Sequence, residues 1–248
     1  LNHSKQIVYS DKYHDQSAFD LAYKLLTNVL KLEDCLVSDK WYAYNTVIRD
    51  VRQFIEERIR SYPNYNKLQE VLAFDFEQLF NCMRYAFVAN KVRHFSNLTE
   101  FFMYQSHNMN VMINLTIDLM SHTSFDLSEL GRIRKIVLEG QKLVRIGNMI
   151  STWEREMRDH DFSSGVFAFA LENKFVSYDD LEKADLKKIK GIITTSCIRP
   201  FLTEWFICYD NLLKMYEESH IQTVDLSGMI QNMPRLLISM HLGSRGYI

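Results

Sequence analysis

Hydrophobic residues recur at intervals of three and four along most of this chain, which is the pattern of amphipathic helices. No glycine precedes Gly131, and Pro63 is the only proline in that stretch, so few β-turns are expected there. We therefore predict an all-α fold. The clearest hydrophobic series in the first part of the chain are Leu21, Leu25, Leu26, Val29, Leu30 and Leu32; Val47, Val51, Phe54, Ile55 and Ile59; and, after a break at Pro63, Leu68, Leu72, Phe76, Leu79, Phe80, Met83 and Phe87.

The middle of the chain predicts two further helices. Ser96–Glu100 has the residues of a helix-capping segment, so a helix is predicted to begin there and to continue through the apolar stretch at 109–120. Residues 121–128 are predicted to form a loop. A long helix is then expected from about Leu130 into a polar cluster that begins at Asn148.

The last third of the chain alternates between polar and apolar segments. Ser163-Ser164-Gly165 indicates either a local break or a close helix crossing. Residues 177–190 are charged and predict a surface segment with its own short helix, whereas 191–220 is apolar and aromatic again. No internal repeat or linker is present, so we expect one domain over 1–248.

The composition argues against several classes of protein, among them nucleic-acid-binding, disulfide-bonded and membrane-spanning proteins. The chain has 248 residues, 47% of them hydrophobic, which is enough to bury a sizeable core. A net charge of −2 provides no basic field for binding nucleic acid. The four cysteines have no Cys-x-x-Cys spacing, which favours reduced thiols over disulfides or zinc. With no membrane-spanning apolar run or signal-peptide pattern, a soluble, cytoplasmic protein is expected.

Two clusters carry oxygen-bearing side chains at helical spacing. The first is Asp11-Lys-Tyr-His-Asp15, and the second runs from Asn148 through Thr152 to Glu156. Residues four apart lie on one face of a helix, so each cluster would present a column of oxygen ligands. Hard divalent cations such as Mg²⁺ bind such ligands, commonly together with phosphate oxygens. We interpret the two clusters as halves of one magnesium site.

These clusters resemble the two metal-binding motifs of the class I terpene synthases, Asp-Asp-x-x-Asp and Asn-Asp-x-x-Ser/Thr-x-x-x-Glu. Asp11 and Asp15 match the first and last aspartates of the first motif. Asn148, Thr152 and Glu156 match the three ligands of the second motif. The interval between the clusters is also close to that of the family. The resemblance implies a single helical-bundle domain that binds Mg²⁺, as three ions, together with a prenyl diphosphate.

The resemblance also implies residues that bind the diphosphate. Arg155 stands where the family usually has a basic residue that contacts diphosphate. Arg245 and Tyr247, separated by a glycine, correspond to an adjacent Arg-Tyr pair that closes over it. Besides that glycine, the chain departs from the family in three places: Lys12 replaces the second aspartate of the first motif, Met149 replaces an aspartate of the second motif that does not bind metal, and the segment 101–108 lacks the arginine that many bacterial members carry there.

Among the other arginines near the second cluster, Arg145 is three residues before Asn148 and therefore shares its helical face. Asp161 falls where an aspartate often follows the second motif in the resembled family.

The function implied by the resemblance is ionisation of a prenyl diphosphate with Mg²⁺ and cyclisation of the carbocation. The expected substrate is geranylgeranyl, copalyl-type or farnesyl diphosphate, and a homodimer is an expected assembly because dimers are common in the family. The first cluster lies close to Leu1, so N-terminal helices of the family are expected to be missing. A non-catalytic helical relative that binds an isoprenoid or a protein partner is the alternative, which Lys12 and the missing arginine favour.

Two other helical classes fit less well. A di-iron bundle would need two Glu-x-x-His motifs, and the chain has only Glu217-x-x-His220. A chain-elongating prenyl transferase would carry two aspartate-rich motifs, and this chain has one.

Overall fold

The computed structural model describes residues 42–183 and 186–245, and every regular element in these ranges is helical. The all-α prediction is confirmed for this part of the chain, in which no helix has the length and apolar character needed to cross a bilayer. The α-helices are α1 (Tyr42–Arg60), α2 (Tyr65–Lys91), α3 (Leu98–Gln105), α4 (Val111–Ser121), α5 (Leu130–Arg158), α6 (Gly165–Glu172), α7 (Tyr178–Lys183), α8 (Leu186–Ile193), α9 (Arg199–Glu217), α10 (Ser227–Gln231) and α11 (Met233–Arg245).

The chain divides into two compact units. Among the described residues, one unit holds the chain up to Phe80 together with Thr116–Thr123, and the other holds Asn81–Leu115 and the chain from Ser124 onward. The division falls within α2 and α4. One domain over 1–248 stays a prediction, and the helix predicted from Leu21 lies outside the described residues.

The predicted break at Pro63 is confirmed in the first unit, where it separates α1 from α2. Asn64 follows it and is buried. Its backbone N–H donates to the carbonyl oxygen of Met120 at 3.0 Å. Its side-chain amide donates to the carbonyls of Leu119, at 3.3 Å, and His122, at 2.8 Å. Asn64 therefore satisfies carbonyl groups that the end of α4 leaves without a helical partner.

The α1 helix forms where the hydrophobic series predicts it, but most of its apolar face is exposed. Val47, Val51, Phe54 and Ile55 are exposed, and Ile59 is buried. Periodicity predicts that these residues share a face. It does not specify what packs against that face, and burial depends on the packing.

The helix predicted to continue from Ser96–Glu100 to residue 120 is interrupted. Its start is confirmed, because the Asn97 side chain accepts a hydrogen bond from the Glu100 backbone N–H at 2.8 Å. After α3, however, a 3₁₀ turn leads to Asn110, whose φ of 58° lies in the left-handed region. Asparagine adopts this conformation more readily than most residues, and it ends the turn before α4.

The long helix predicted from about Leu130 is confirmed as α5, which contributes many buried residues to the second unit. Two glycines inside α5 lie where another helix packs closely against it. A Cβ atom would lie 3.2 Å from Met233 Cε at Gly140 and 3.2 Å from Leu237 Cδ1 at Gly147. The Trp205 indole N–H of α9 donates to a carbonyl of α5 at 3.0 Å. Helices α9 and α11 thus pack directly on α5.

A buried carboxylate, Glu129, ties a loop of the second unit to the start of α5. It accepts hydrogen bonds from the backbone N–H groups of Gln222, at 2.9 Å, and Thr223, at 3.0 Å, and from the Thr223 hydroxyl at 2.6 Å. The Thr223 hydroxyl, followed by its backbone N–H, holds the pKa of Glu129 below its usual value. The ionised form of this carboxylate is therefore the one that stabilises the fold.

We expect Glu129→Gln to destabilise the protein most near neutral pH and least in acid. Because the folded-state pKa is lowered, the carboxylate stabilises the fold above its usual pKa of about 4.3 and loses this effect as the pH falls through the folded value. The melting temperatures of both proteins, measured between about pH 3 and pH 7, should converge toward the acid end. Glu139→Gln, which removes an exposed ion pair with Lys142 on the same helix, is the control. A pH-independent difference for Glu129→Gln would contradict the prediction.

Candidate metal centre

The second oxygen-bearing cluster forms one column on α5. Thr152 is buried, and Asn148 and Glu156 are half-buried. The Thr152 hydroxyl oxygen lies 2.7 Å from Glu156 Oε1 and 2.8 Å from the backbone oxygen of Asn148. Since a hydroxyl carries one proton, it donates to one of these oxygens at a time and keeps its lone pairs. The four-residue spacing therefore brings polar groups of this cluster into direct contact.

Arg145, one turn before Asn148, is buried beside this column with 4% of its surface exposed. Its Nη1 donates to Asn148 Oδ1 at 2.8 Å, and its Nη2 donates to Gln105 Oε1 at 3.4 Å. Its guanidinium carbon lies 5.0 Å from the centre of the Phe101 ring, within the range of a cation–π interaction. These contacts fix the guanidinium and, through it, the Asn148 side chain.

The segment 101–108, which lacks an arginine, supplies the surroundings of this one. Phe101 and Gln105 both come from α3 and are buried. Gln105 also donates to the backbone oxygen of Cys82 at 3.1 Å. An arginine from α5 therefore lies among side chains of α3.

The loop that follows α5 is held by a network centred on Asp161. Asp161 Oδ1 accepts hydrogen bonds from the Asn90 side chain at 2.8 Å and from the Ser163 hydroxyl at 2.7 Å. Asn90 in turn accepts from the backbone N–H of Phe162 at 2.7 Å. The Asp161 N–H donates to the backbone oxygen of Glu156 at 2.8 Å. The loop is thereby attached both to α2 and to the last turn of α5.

Ser163-Ser164-Gly165 is both a chain break and a close crossing. The break separates α5 from α6. A Cβ atom at Gly165 would lie 2.5 Å from Phe101 Cε1, closer than packed atoms can approach. Glycine is therefore required here by the Phe101 ring, which also lies beneath Arg145.

The Glu156 carboxyl lies in an environment that opposes its ionisation. Burial raises its pKa most, and the negative charge of Asp161 raises it further. The positive charge of Arg145 and the hydroxyls of Thr152 and Ser164 act in the opposite direction. Within the described ranges, Glu156 Oε2, Arg145 Nε and Ser164 Oγ are buried without a hydrogen bond of ordinary geometry. Buried polar atoms are normally paired, so these atoms mark where a ligand or water would complete the site.

The donor set fits magnesium. An amide oxygen, a hydroxyl and a carboxylate are hard oxygen ligands, and Glu156 Oε2 is unbonded within the described residues. In that part of the chain, no three His, Cys, Asp or Glu side chains come together as a metal-binding group. Asp11 and Asp15, the ligands predicted for the other half of the centre, lie outside the described residues, as does Lys12.

Of the residues predicted to bind diphosphate, Arg155 and the backbone of Arg245 lie in the described part of the chain. Arg155 lies on α5 next to Glu156 and is exposed, because consecutive helical residues face different directions. Arg245 is the final residue of α11, and its side chain, like Tyr247, lies outside the described residues. The three-residue spacing of Arg145 and Asn148 was the sequence signal for the arginine at the site. Gln105, Asn90 and Ser164 gave no comparable signal.

Comparison of the chain with models of protein families, with curated proteins and with solved structures found no match. What the centre can do is therefore inferred from its own residues.

Proposed function

We propose that this chain is a class I terpene synthase that ionises a prenyl diphosphate with Mg²⁺, cyclises the carbocation and releases pyrophosphate. The observation that carries the proposal is the column of Asn148, Thr152 and Glu156, with one Glu156 oxygen unbonded among the described residues and the buried Arg145 beside it. The resemblance of the aspartate cluster near the start of the sequence to the family's first motif supplies the second half of the centre.

Asn148, Thr152 and Glu156 would hold magnesium. When bound, the ion supplies positive charge that stabilises the departing diphosphate without any proton transfer. Thr152 can direct its single proton to Glu156 Oε1 or to the Asn148 carbonyl, which leaves its oxygen lone pairs for the cation. Glu156 would contribute the negative charge of the set when it is ionised, and the charge of a bound cation would favour that form over the opposing effect of burial.

Arg145 has two roles in this proposal. It holds the Asn148 amide by a 2.8 Å hydrogen bond to Oδ1, and its buried Nε, unpaired in the described part of the chain, offers a donor to an anion. A guanidinium stays charged at any physiological pH, and its attraction for an anion is stronger in a buried site than in water. Arg155, Arg245 and Tyr247 remain the diphosphate contacts implied by the resemblance.

Aromatic side chains next to the centre suit a cationic intermediate. Phe101, Phe162 and Phe167 are buried, and the last two pack edge to face with ring centres 5.5 Å apart. Aromatic faces stabilise positive charge, and buried rings exclude water that would quench a carbocation. Phe101 already has this relation to the Arg145 guanidinium.

The experiment that tests this function is pyrophosphate release by the full-length protein from farnesyl, geranylgeranyl and copalyl diphosphates, with and without Mg²⁺. We expect release from at least one of them that stops on chelation and returns when Mg²⁺ is added. Gas chromatography with mass spectrometry should detect a cyclic product. Absence of release from all three would overturn the proposal and favour a non-catalytic helical protein that binds an isoprenoid or a protein partner.

A further inference from the structure

The Gln105 amide is hydrogen-bonded at both ends, which fixes its orientation. Gln105 is the last residue of α3 and has 1% of its surface exposed. Its Nε2 donates to the backbone oxygen of Cys82 at 3.1 Å, and its Oε1 accepts from Nη2 of Arg145 at 3.4 Å. The Cys82 thiol also lies 3.5 Å from Oε1, where it adds a weak donor. A reversed amide would place its NH₂ group against the arginine and its oxygen against a carbonyl, so one orientation alone satisfies both partners.

These bonds hold the Arg145 guanidinium from more than one side. Nη2 is bonded to Gln105, which is itself attached to α2 through Cys82. Nη1 is bonded to Asn148 Oδ1 at 2.8 Å, and the guanidinium carbon lies 5.0 Å from the centre of the Phe101 ring. Since the guanidinium is planar, turning it would break at least one of these contacts. The direction of its Nε–H is fixed as a result.

The hydrogen-bond partners of the Arg145 guanidinium carry no charge. In the part of the chain that the structure describes, they are the amide oxygens of Gln105 and Asn148. A carboxylate at position 105 would accept the same bond but would also form an ion pair with the guanidinium. An amide holds the guanidinium and leaves its positive charge to attract an anion that enters the site. The buried Nε, unpaired among the described residues, is the donor that remains for such an anion.

We infer that Gln105 is a positioning residue for Arg145: it holds Nη2 without neutralising the guanidinium and so directs the Nε–H toward the diphosphate group of the substrate. This inference rests on the proposed function, because it takes Arg145 as a contact of the diphosphate. Side chains that contact a ligand need neighbours that lock their conformation, and Gln105 provides this for Arg145 from a different helix.

The test measures the binding of inorganic pyrophosphate to the full-length protein in excess Mg²⁺, without any prenyl substrate, by isothermal titration calorimetry. Methionine is close to glutamine in length but is only a weak acceptor, so Gln105→Met removes the bond to Nη2. We expect it to raise the dissociation constant of pyrophosphate about 10-fold, the effect of losing one hydrogen bond to a charged group. Gln105→Glu keeps an acceptor but pairs with the charge, and should weaken binding at least as much.

A double-mutant cycle separates positioning of Arg145 from a general structural role. In the Arg145→Met background, Gln105→Met should weaken pyrophosphate binding by less than about 2-fold further, because the side chain that it positions has been removed. Gln105→Asn, whose amide is one methylene too short to reach both partners, replaces Gln105→Met in the cycle if that variant folds poorly.

Gln141→Met is the matched control. Gln141 is a fully buried glutamine of α5, and its amide oxygen accepts from the backbone N–H of Met112 at 3.1 Å instead of from an arginine. The same substitution there should lower the melting temperature, because it leaves a buried N–H unpaired. It should leave the dissociation constant of pyrophosphate unchanged.

Three results would overturn the inference and spare the proposed function. The first is unchanged pyrophosphate affinity in Gln105→Met, whatever its melting temperature. The second is an equal loss of affinity in the presence and absence of Arg145, and the third is an equal loss in Gln141→Met. If the unaltered protein does not bind pyrophosphate with Mg²⁺, or if Arg145→Met binds it as tightly, the diphosphate contact itself fails and the inference fails with it.

Discussion

Replacing Glu156 with glutamine is expected to lower Mg²⁺-dependent pyrophosphate release by about 10²–10³-fold. The amide matches the carboxylate in shape but carries no charge and offers one acceptor oxygen instead of two. Folding stability should not fall. Burial and Asp161 raise the pKa of this carboxyl, which means that they disfavour its negative charge, and a neutral amide carries no such charge. Initial rates across a Mg²⁺ titration, together with melting temperatures, measure both effects.

Glu154→Gln is the control for Glu156→Gln on the same helix. Glu154 forms exposed ion pairs with Lys190, at 2.9 Å, and Arg158, at 3.7 Å. Such pairs contribute about 0–1 kcal/mol, so this variant should keep nearly full turnover and stability. If turnover is unchanged in Glu156→Gln and also in Asp11→Asn, the magnesium assignment is wrong.

Replacing Arg145 with methionine is expected to reduce both turnover and stability. Methionine fills much of the space over Phe101 but donates no hydrogen bonds, so the side-chain oxygens of Asn148 and Gln105 lose the donors they have now. Leaving a buried acceptor unpaired costs about 1–3 kcal/mol. Turnover should fall by about 10²-fold or more, because removing one donor to developing charge has an effect of that size. Thermal melts and initial rates provide the measurements.

Other arginine variants separate the two effects of Arg145→Met. Arg145→Lys keeps the charge but not the planar fork of donors, so its turnover should lie between those of Arg145→Met and the unaltered protein. Arg155→Met should leave stability unchanged, because Arg155 is exposed, while lowering turnover if it contacts diphosphate as the resemblance implies. Arg158→Met, on the exposed end of α5, should change neither quantity. Equal behaviour of Arg145→Met and Arg158→Met would contradict the role assigned to Arg145.

The helices of the described chain were largely predictable, because hydrophobic periodicity reports a local property. The apolar series at 68–87 corresponds to α2, and the long helix predicted from Leu130 is α5. The break at Asn110 was not predicted, since one residue in a left-handed conformation leaves the apolar pattern of 111–120 intact. The hydrophobic periodicity also did not predict that Phe54 is exposed.

The candidate site likewise combines contacts that the sequence predicts with contacts that it does not predict. Thr152 and Glu156 were predicted to share a face because four residues make about one helical turn, and their side chains are in contact. Gln105 meets Arg145 across 40 positions of sequence, and Asn90 meets Asp161 across 71. No local rule connects residues so far apart.

The sequence by itself determined the helical character of the described chain, the column of oxygen-bearing side chains on α5 and the place of Arg145 on the face of Asn148. Each of these follows from the periodicity of a single helix. Only the tertiary structure decided that α3 packs Phe101 and Gln105 around that arginine and that Asp161, in the loop after α5, is bonded to Asn90 of α2. These contacts depend on how separate helices pack, and packing is set by the combined shapes of side chains that lie far apart in the chain.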